Sequence, residues 1–227
     1  MECIILAGGL GTRLQHVIPD LPKCLAPVNG KPFLAYLMDY LEQQYCDHVI
    51  LSLGYKADKV LDWLKDRAFT FKVSWVIEQE PLGTGGAVKK ALQKCTEEDC
   101  FILNGDTIFE VPLTALKDAR TATSKAVVAL KPMSAFDRYG SVHTDQHGTI
   151  LSFEEKKFCE EGNINGGVYL LQNVFDVFKD FPDQFSLEKD FFEPEAAKGT
   201  LKAVVSDNFF IDIGVEEDYQ LAQKLLH

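Results

Sequence analysis

Arg13 and Lys23 stand ten residues apart in GGLGTRLQHVIPDLPKCLAP, residues 8–27, a stretch rich in glycine, proline and apolar side chains. Gly8, Gly9 and Gly11 let backbone N–H groups approach an anion, and Arg13 adds a planar, permanently charged fork. Lys23 follows Pro22 in a segment stiffened by Pro19, Pro22 and Pro27, which suits it to act as a fixed point charge. This combination fits phosphate binding; the alternative is a tight strand-to-loop turn with solvated cations. Two familiar phosphate loops are excluded by spacing. Gly9 and Gly11 are followed by Leu14 where a dinucleotide fingerprint needs a third glycine, and no G-K-[ST] closes a Walker loop.

Two carboxylates end apolar runs elsewhere: Asp106 in NGDT and Asp212 in FFIDIG. Each alone reads as a cap or turn residue. Together at the edge that carries the basic loop, they could hold Mg²⁺, which takes one or two carboxylates plus phosphate oxygens. Glu78 precedes EPLGTGGA and could accept two hydrogen bonds from the N1–H and N2–H edge of guanine, reach a uracil N3–H, or serve as scaffolding. Gly83, Gly85 and Gly86 suit either backbone approach to a base or phosphate, or close packing at a helix start. In FEEKK the charges suit a solvated strand edge, with Lys156 falling shortly before NGGVY. The five histidines show no metal or triad spacing and are given no role.

These loops need elements to bring them together. Strand-length apolar runs at about 2–7, 47–53, 71–78 and 99–104 alternate with segments of helical period, the pattern of an α/β fold with a largely parallel sheet. PFLAYLMDYLEQQ puts Phe33, Leu34, Leu37, Met38 and Leu41 on one helical face, with Pro32 suited to the first turn. KADKVLDWLKDR does the same with Val60, Leu61 and Leu64. Past residue 120 the short runs KAVVALK, GSVHT, TILSFEEK and INGGVYLL predict antiparallel or mixed sheet. Helices are expected around 186–197 and 215–226. In an open parallel sheet, ligands lie outside the carboxyl ends of the strands, which is where GGLGTR, EQEPLGTGGA, NGDT and DIG fall.

A length of 227 residues predicts one domain, 1–227, with halves of about 1–120 and 121–227 that share a sheet or pack as lobes. The net charge of −11 argues against nucleic-acid binding, which needs a basic face. The longest apolar runs are strand-sized, and MECIIL has no basic region before its apolar residues, so a cytoplasmic protein without a membrane span is expected. Six cysteines without a CxxC pair read as buried free thiols.

Taken in order, LAGGLGTRL…PKCLAPVNGKP, EPLGTGGA, NGDT, FEEK, NGGVY and FIDIGVEEDY resemble the sugar-1-phosphate nucleotidyltransferases over nearly the whole chain. The resemblance implies a Rossmann-like, three-layer α/β fold of GT-A type, with a mixed, mostly parallel central sheet and a smaller antiparallel sugar-binding part. It implies that Leu6, Ala7, Gly8, Gly9, Gly11, Thr12, Arg13, Lys23, Glu78, Gly83 and Thr84 bind the nucleotide, with Arg13, Lys23 and Asp106 catalytic. Asn104, Gly140, Glu155, Lys156, Asn165 and Gly166 would meet the sugar phosphate, and Asp106 and Asp212 would hold Mg²⁺. Within the family, DLPKCLAPVNGKPFL, FDRYGSV and SFEEK imply GTP and a heptose 1-phosphate as substrates. Mannose 1-phosphate guanylylation and N-acetylmuramate 1-phosphate uridylylation are the alternatives. Cys24 departs from the proline or apolar residue common after the lysine, a matter of shape. With no β-helical extension before residue 227, no acyltransferase activity is expected, and the state is monomer or homodimer. A nicotinamide-dependent oxidoreductase would lack Arg13 in the turn, and a nucleotide-sensing module would not need paired carboxylates.

Overall fold

Residues 1–227 are described by a computed structural model. β1 (Glu2–Ala7) leads through two 3-10 turns, Thr12–Leu14 and Lys23–Leu25, and a short ribbon of β2 (Pro27–Val28) and β3 (Lys31–Pro32) to α1 (Phe33–Gln43). Then come β4 (His48–Leu53), α2 (Ala57–Leu64), β5 (Lys72–Ile77), α3 (Gly83–Leu92) and β6 (Asp99–Asn104). The four strands expected from apolar runs are thus present with ends shifted by one residue at most. The rest of the chain gives β7 (Thr107–Phe109), α4 (Leu113–Asp118), β8 (Ala126–Phe136), β9 (Val142–Thr144), β10 (Ile150–Phe153) and β11 (Cys159–Gln172). It closes with α5 (Glu193–Ala197), β12 (Leu201–Val205), β13 (Phe210–Asp212) and α6 (Glu216–Leu225).

Seven strands form the central sheet in the order β12-β8-β11-β6-β1-β4-β5. All run in one sense except β11, which pairs antiparallel with both β6 and β8. Strands from beyond residue 120 therefore continue the sheet begun by β1, β4, β5 and β6. Alternation along β1 builds a core on each face. Cys3, Ile5 and Ala7 pack on the side of Phe33, Leu34, Leu37 and Leu41 of α1. Ile4, with Ile50 and Ile102, packs on the side of Val88, Ala91 and Leu92 of α3, joined by Phe178, Phe185, Phe191 and Phe192. The result is three layers, and no helix is long and apolar enough to cross a membrane.

Two local expectations shift. Pro32 lies one residue before α1 rather than inside its first turn, with ψ of 142°, because Lys31–Pro32 pairs with Pro27–Val28 and must stay extended. The helix expected over 186–197 divides into a π-type turn, Leu187–Phe192, and the short α5. Pro194 has no N–H to give the carbonyl four residues back, so regular α-helical bonding cannot run through that point.

Candidate active site

Parallel register sets the site. Leu6 of β1 lies beside Asn104 of β6 and Ser52 of β4, so the chain leaves these strands along one edge. Gly105 follows at once, and its N–H donates to the Leu6 carbonyl at 2.9 Å. The loop after β1 then turns through Gly11, whose φ of 60° favours a residue without Cβ and whose Cα faces the Lys23 side chain. The 3-10 turn that follows is anchored by Leu14, which is fully buried, and leaves Arg13 exposed with no hydrogen bond or ion pair to the protein.

Lys23 opens the second 3-10 turn, where Cys24 and Leu25 are buried. Its side chain is 13% exposed, and Nζ donates to Asp106 Oδ2 at 2.5 Å. Asp106 lies between β6 and β7, and its carbonyl accepts from Ile213 N–H at 2.9 Å. Asp212 closes β13, which pairs antiparallel with β7 so that Asp212 lies opposite Thr107. The two aspartates are therefore neighbours across a two-stranded ribbon although 106 positions separate them. Gly214 N–H donates to Asp212 Oδ1, and the Tyr139 hydroxyl donates to Asp212 Oδ2 at 3.0 Å. Burial pushes the Asp212 carboxyl above its ordinary range, and the negative charge of Asp106 pushes it further.

That pairing answers whether a divalent cation fits. The donors are hard carboxylate oxygens, no cluster of three or more His, Cys, Asp or Glu side chains is present, and Lys23 is the one cation bonded to the pair. Two carboxylates leave most of a magnesium coordination sphere for phosphate and water oxygens, which is its usual manner of binding.

Around this centre the other expected residues are placed unequally. Leu6 and Ala7 end β1, and Gly8, Gly9 and Thr12 lie on the loop beyond it. Glu78 Oε2 accepts from Leu82 N–H at 3.1 Å and Oε1 from the Ser52 hydroxyl at 3.4 Å, so Glu78 ties the end of β5 to the start of α3. The glycines of EPLGTGGA serve packing: the Cα atoms of Gly83 and Gly85 face Phe185, and that of Gly86 faces the Asp183 carbonyl. The Thr84 hydroxyl donates to Glu188 Oε2 at 2.6 Å and accepts from Leu187 N–H at 2.9 Å. Asn104 ends β6 beside the Asn165–Gly167 bend of β11, where the register with β8 slips. Asn165 Oδ1 accepts from Gly167 N–H at 2.9 Å, and Gly166 sits against the Phe109 ring. Gly140 packs on the Glu154 carbonyl. Glu155 and Lys156 stand exposed beyond β10; Glu155 is 4.0 Å from Lys189, and neither bonds to Lys23, Asp106 or Asp212.

Reading the loops by strand ends missed Tyr139 and its neighbour Arg138. Arg138 Nη2 donates to both carboxylate oxygens of Asp218 on α6, at 2.9 and 2.7 Å. The signal is in FDRYGSV, where Arg138 and Tyr139 directly precede Gly140.

Comparison with known proteins gives a consistent picture. Residues 2–227 match the family model described as Nucleotidyl transferase. The D-glycero-alpha-D-manno-heptose 1-phosphate guanylyltransferase of Aneurinibacillus thermoaerophilus is 46% identical over 228 residues, spanning 100% of this chain and 98% of that protein. The enzyme of the same name from Campylobacter jejuni subsp. jejuni serotype O:2 is 46% identical over 221 residues, 96% of this chain and 97% of that one. The crystal structure of HddC from Yersinia pseudotuberculosis complexed with GMP-PN superposes with a TM-score of 0.89 at 40% identity, covering 100% of this chain and 99% of the other.

Proposed function

The chain belongs to the nucleotidyl transferase family, and from that premise we propose that it transfers GMP from GTP to D-glycero-α-D-manno-heptose 1-phosphate. The products are GDP-heptose and pyrophosphate, and the nucleotide sugar would serve surface polysaccharide synthesis in the cytoplasm. The observation that carries the reaction class is the junction of Lys23, Asp106 and Asp212 beside a glycine loop whose Arg13 has no protein partner. The choice of base and sugar is supported by two full-length relatives of that name.

The reaction is an in-line displacement. An oxygen of the sugar phosphate attacks the α-phosphorus of GTP, the bond to the bridging oxygen breaks, and pyrophosphate leaves with that electron pair. The attacking phosphate is already ionised, so no general base is needed, and the protein's part is alignment and charge neutralisation. Arg13 and the backbone of Gly8, Gly9, Gly11 and Thr12 would grip the triphosphate, with Lys23 turning from Asp106 to a phosphate oxygen. Leu6 and Ala7 would flank the nucleoside. Glu78 keeps lone pairs for a guanine edge after its two scaffold bonds, while Gly83 and Thr84 would act through the backbone turn they stabilise. Asn104, Gly140, Glu155, Asn165 and Gly166 would contact sugar hydroxyls, and Lys156 the sugar phosphate. Asp106 and Asp212 would hold Mg²⁺, whose chemistry when bound is to offset the charge of the two phosphates brought together.

The test is pyrophosphate release over four nucleoside triphosphates crossed with the 1-phosphates of heptose, mannose, glucose and N-acetylmuramate. Turnover is expected with GTP and heptose 1-phosphate well above every other pair. Turnover with mannose 1-phosphate alone, or with UTP and N-acetylmuramate 1-phosphate, would keep the reaction and overturn the substrates.

A further inference from the structure

Asp212 is held at both oxygens, and only one of the two holding groups belongs to its own turn. Gly214 N–H, two residues on, meets Oδ1, whereas Oδ2 is met by a phenol 73 positions earlier in the chain. The segment that presents this phenol is fixed on several sides. Arg138 grips Asp218 with one nitrogen across both carboxylate oxygens. The Tyr139 ring lies edge-on to Phe210 with centroids 6.3 Å apart, and Phe210 in turn lies edge-on to Phe109 at 5.7 Å. Gly140 abuts the Glu154 carbonyl, and Glu154 N–H donates to the Ser141 carbonyl at 2.8 Å. One short turn thus touches the strand end that carries Asp212, the helix after it, and the hairpin that leads to Glu155 and Lys156.

We propose that Tyr139 is a positioning residue for the metal centre, its hydroxyl fixing the rotation of the Asp212 carboxylate and thereby the direction of the lone pairs left for a divalent cation. A carboxylate with one donor can swing about its Cβ–Cγ bond; one with a donor on each oxygen cannot. Groups that orient metal-binding carboxylates in this way typically alter metal affinity by about 10–100-fold when removed. The same turn carries Gly140, so the rigidity given to Asp212 is shared with the sugar side of the site. This inference rests on the reading of Asp212 as a metal ligand.

Tyr139→Phe is the informative variant, because it keeps the ring on Phe210 and deletes the hydroxyl alone. Manganese binding is measured by electron paramagnetic resonance on the full chain saturated with a non-hydrolysable GTP analogue. Tyr139→Phe is expected to weaken Mn²⁺ binding about tenfold, with unchanged affinity for the analogue. In turnover, the metal concentration for half-maximal rate should rise by a similar factor, while kcat at saturating metal returns to within about twofold of the parent. A ring that merely packs gives no such split, so Mn²⁺ affinity equal to the parent's overturns the proposal. Asp212→Asn, measured alongside, separates the two readings: parental Mn²⁺ affinity in that variant overturns the assignment of Asp212. Weak binding in Asp212→Asn with parental binding in Tyr139→Phe overturns the role of Tyr139 alone.

Discussion

Arg13 can be removed without removing any hydrogen bond or ion pair that holds the protein together, and Asp106 cannot. Arg13→Ala is therefore expected to leave the melting temperature within about 2 °C of the parent while turnover falls about 10³-fold, the low end for a cation that stabilises phosphoryl transfer. Asp106→Ala should lose as much activity and also about 1–3 kcal/mol of stability, because the Lys23 ammonium, 13% exposed, is left without its partner. Calorimetry beside a pyrophosphate-release assay checks both, and equal melting losses in the two variants would contradict this account. Arg13 was legible in the sequence because its chemistry is local: a cation in a glycine turn needs no distant partner to be noticed. Tyr139 was not, since a tyrosine means nothing until the chain folds it onto Asp212. The glycines at 85 and 86 allowed two readings in the sequence, ligand approach or close packing, and the packing appears only where Phe185 and Asp183 lie against them.

At the scale of elements, the edge of the sheet remote from the site has its own polar cluster. Glu2 starts β1 and is buried; it accepts from His48 Nδ1 at 2.8 Å and from the backbone of Thr96 and Glu97 at 2.6 and 2.9 Å. Burial alone would raise this carboxyl, but the hydrogen bonds from Glu97, His48 and Thr96 outweigh it and hold it down to about 2. The charged form is therefore favoured by folding. The sign follows: the stabilisation is complete above the ordinary value of 4.5 and is lost as pH falls from there toward about 2. A shift of this size corresponds to about 3 kcal/mol. Glu2→Gln is expected to cost stability of that order at pH 7, with the gap from the parent shrinking by pH 3. Urea unfolding at both pH values checks it, and a gap of constant size would refute it. The strands themselves were legible, since apolar runs bounded by turn residues have few other outcomes. The division at Pro194 follows from a proline already present in the sequence, whereas the bend of β11 over Asn165–Gly167 was harder to see because it depends on the pairing with β8.

For the whole molecule, the alternation of strands and helices was enough to place the loops after β1, β5 and β6 on one edge of the sheet, whereas Asp212 comes there on β13, which lies outside the seven-strand order and pairs with β7 in a separate ribbon. The alternation could not say how the second half joins, because the length of β11 and its two antiparallel partners are set by pairing with β6 and β8. The cysteines follow the core. Cys3, Cys24, Cys46, Cys95 and Cys100 are buried free thiols, and Cys159 alone is half-exposed at the start of β11. An aromatic disulfide reagent should label one thiol of the native protein within minutes and the other five only on unfolding. Cys159→Ser should abolish the fast phase; a surviving fast phase would mean that the core opens more readily than its packing implies.

The single reversed strand also has a consequence in time. β6 is finished at Asn104, yet the partner for its free edge, Val168–Gln172 of β11, comes more than sixty residues later. At 5–20 residues per second, a ribosome would expose that edge for roughly 3–14 s before its mate was made. An apolar central strand without its neighbour is a template for pairing with the wrong chain. During synthesis, therefore, this molecule passes through an interval in which a half-built sheet is its most vulnerable form, and the arrival of β11 ends it.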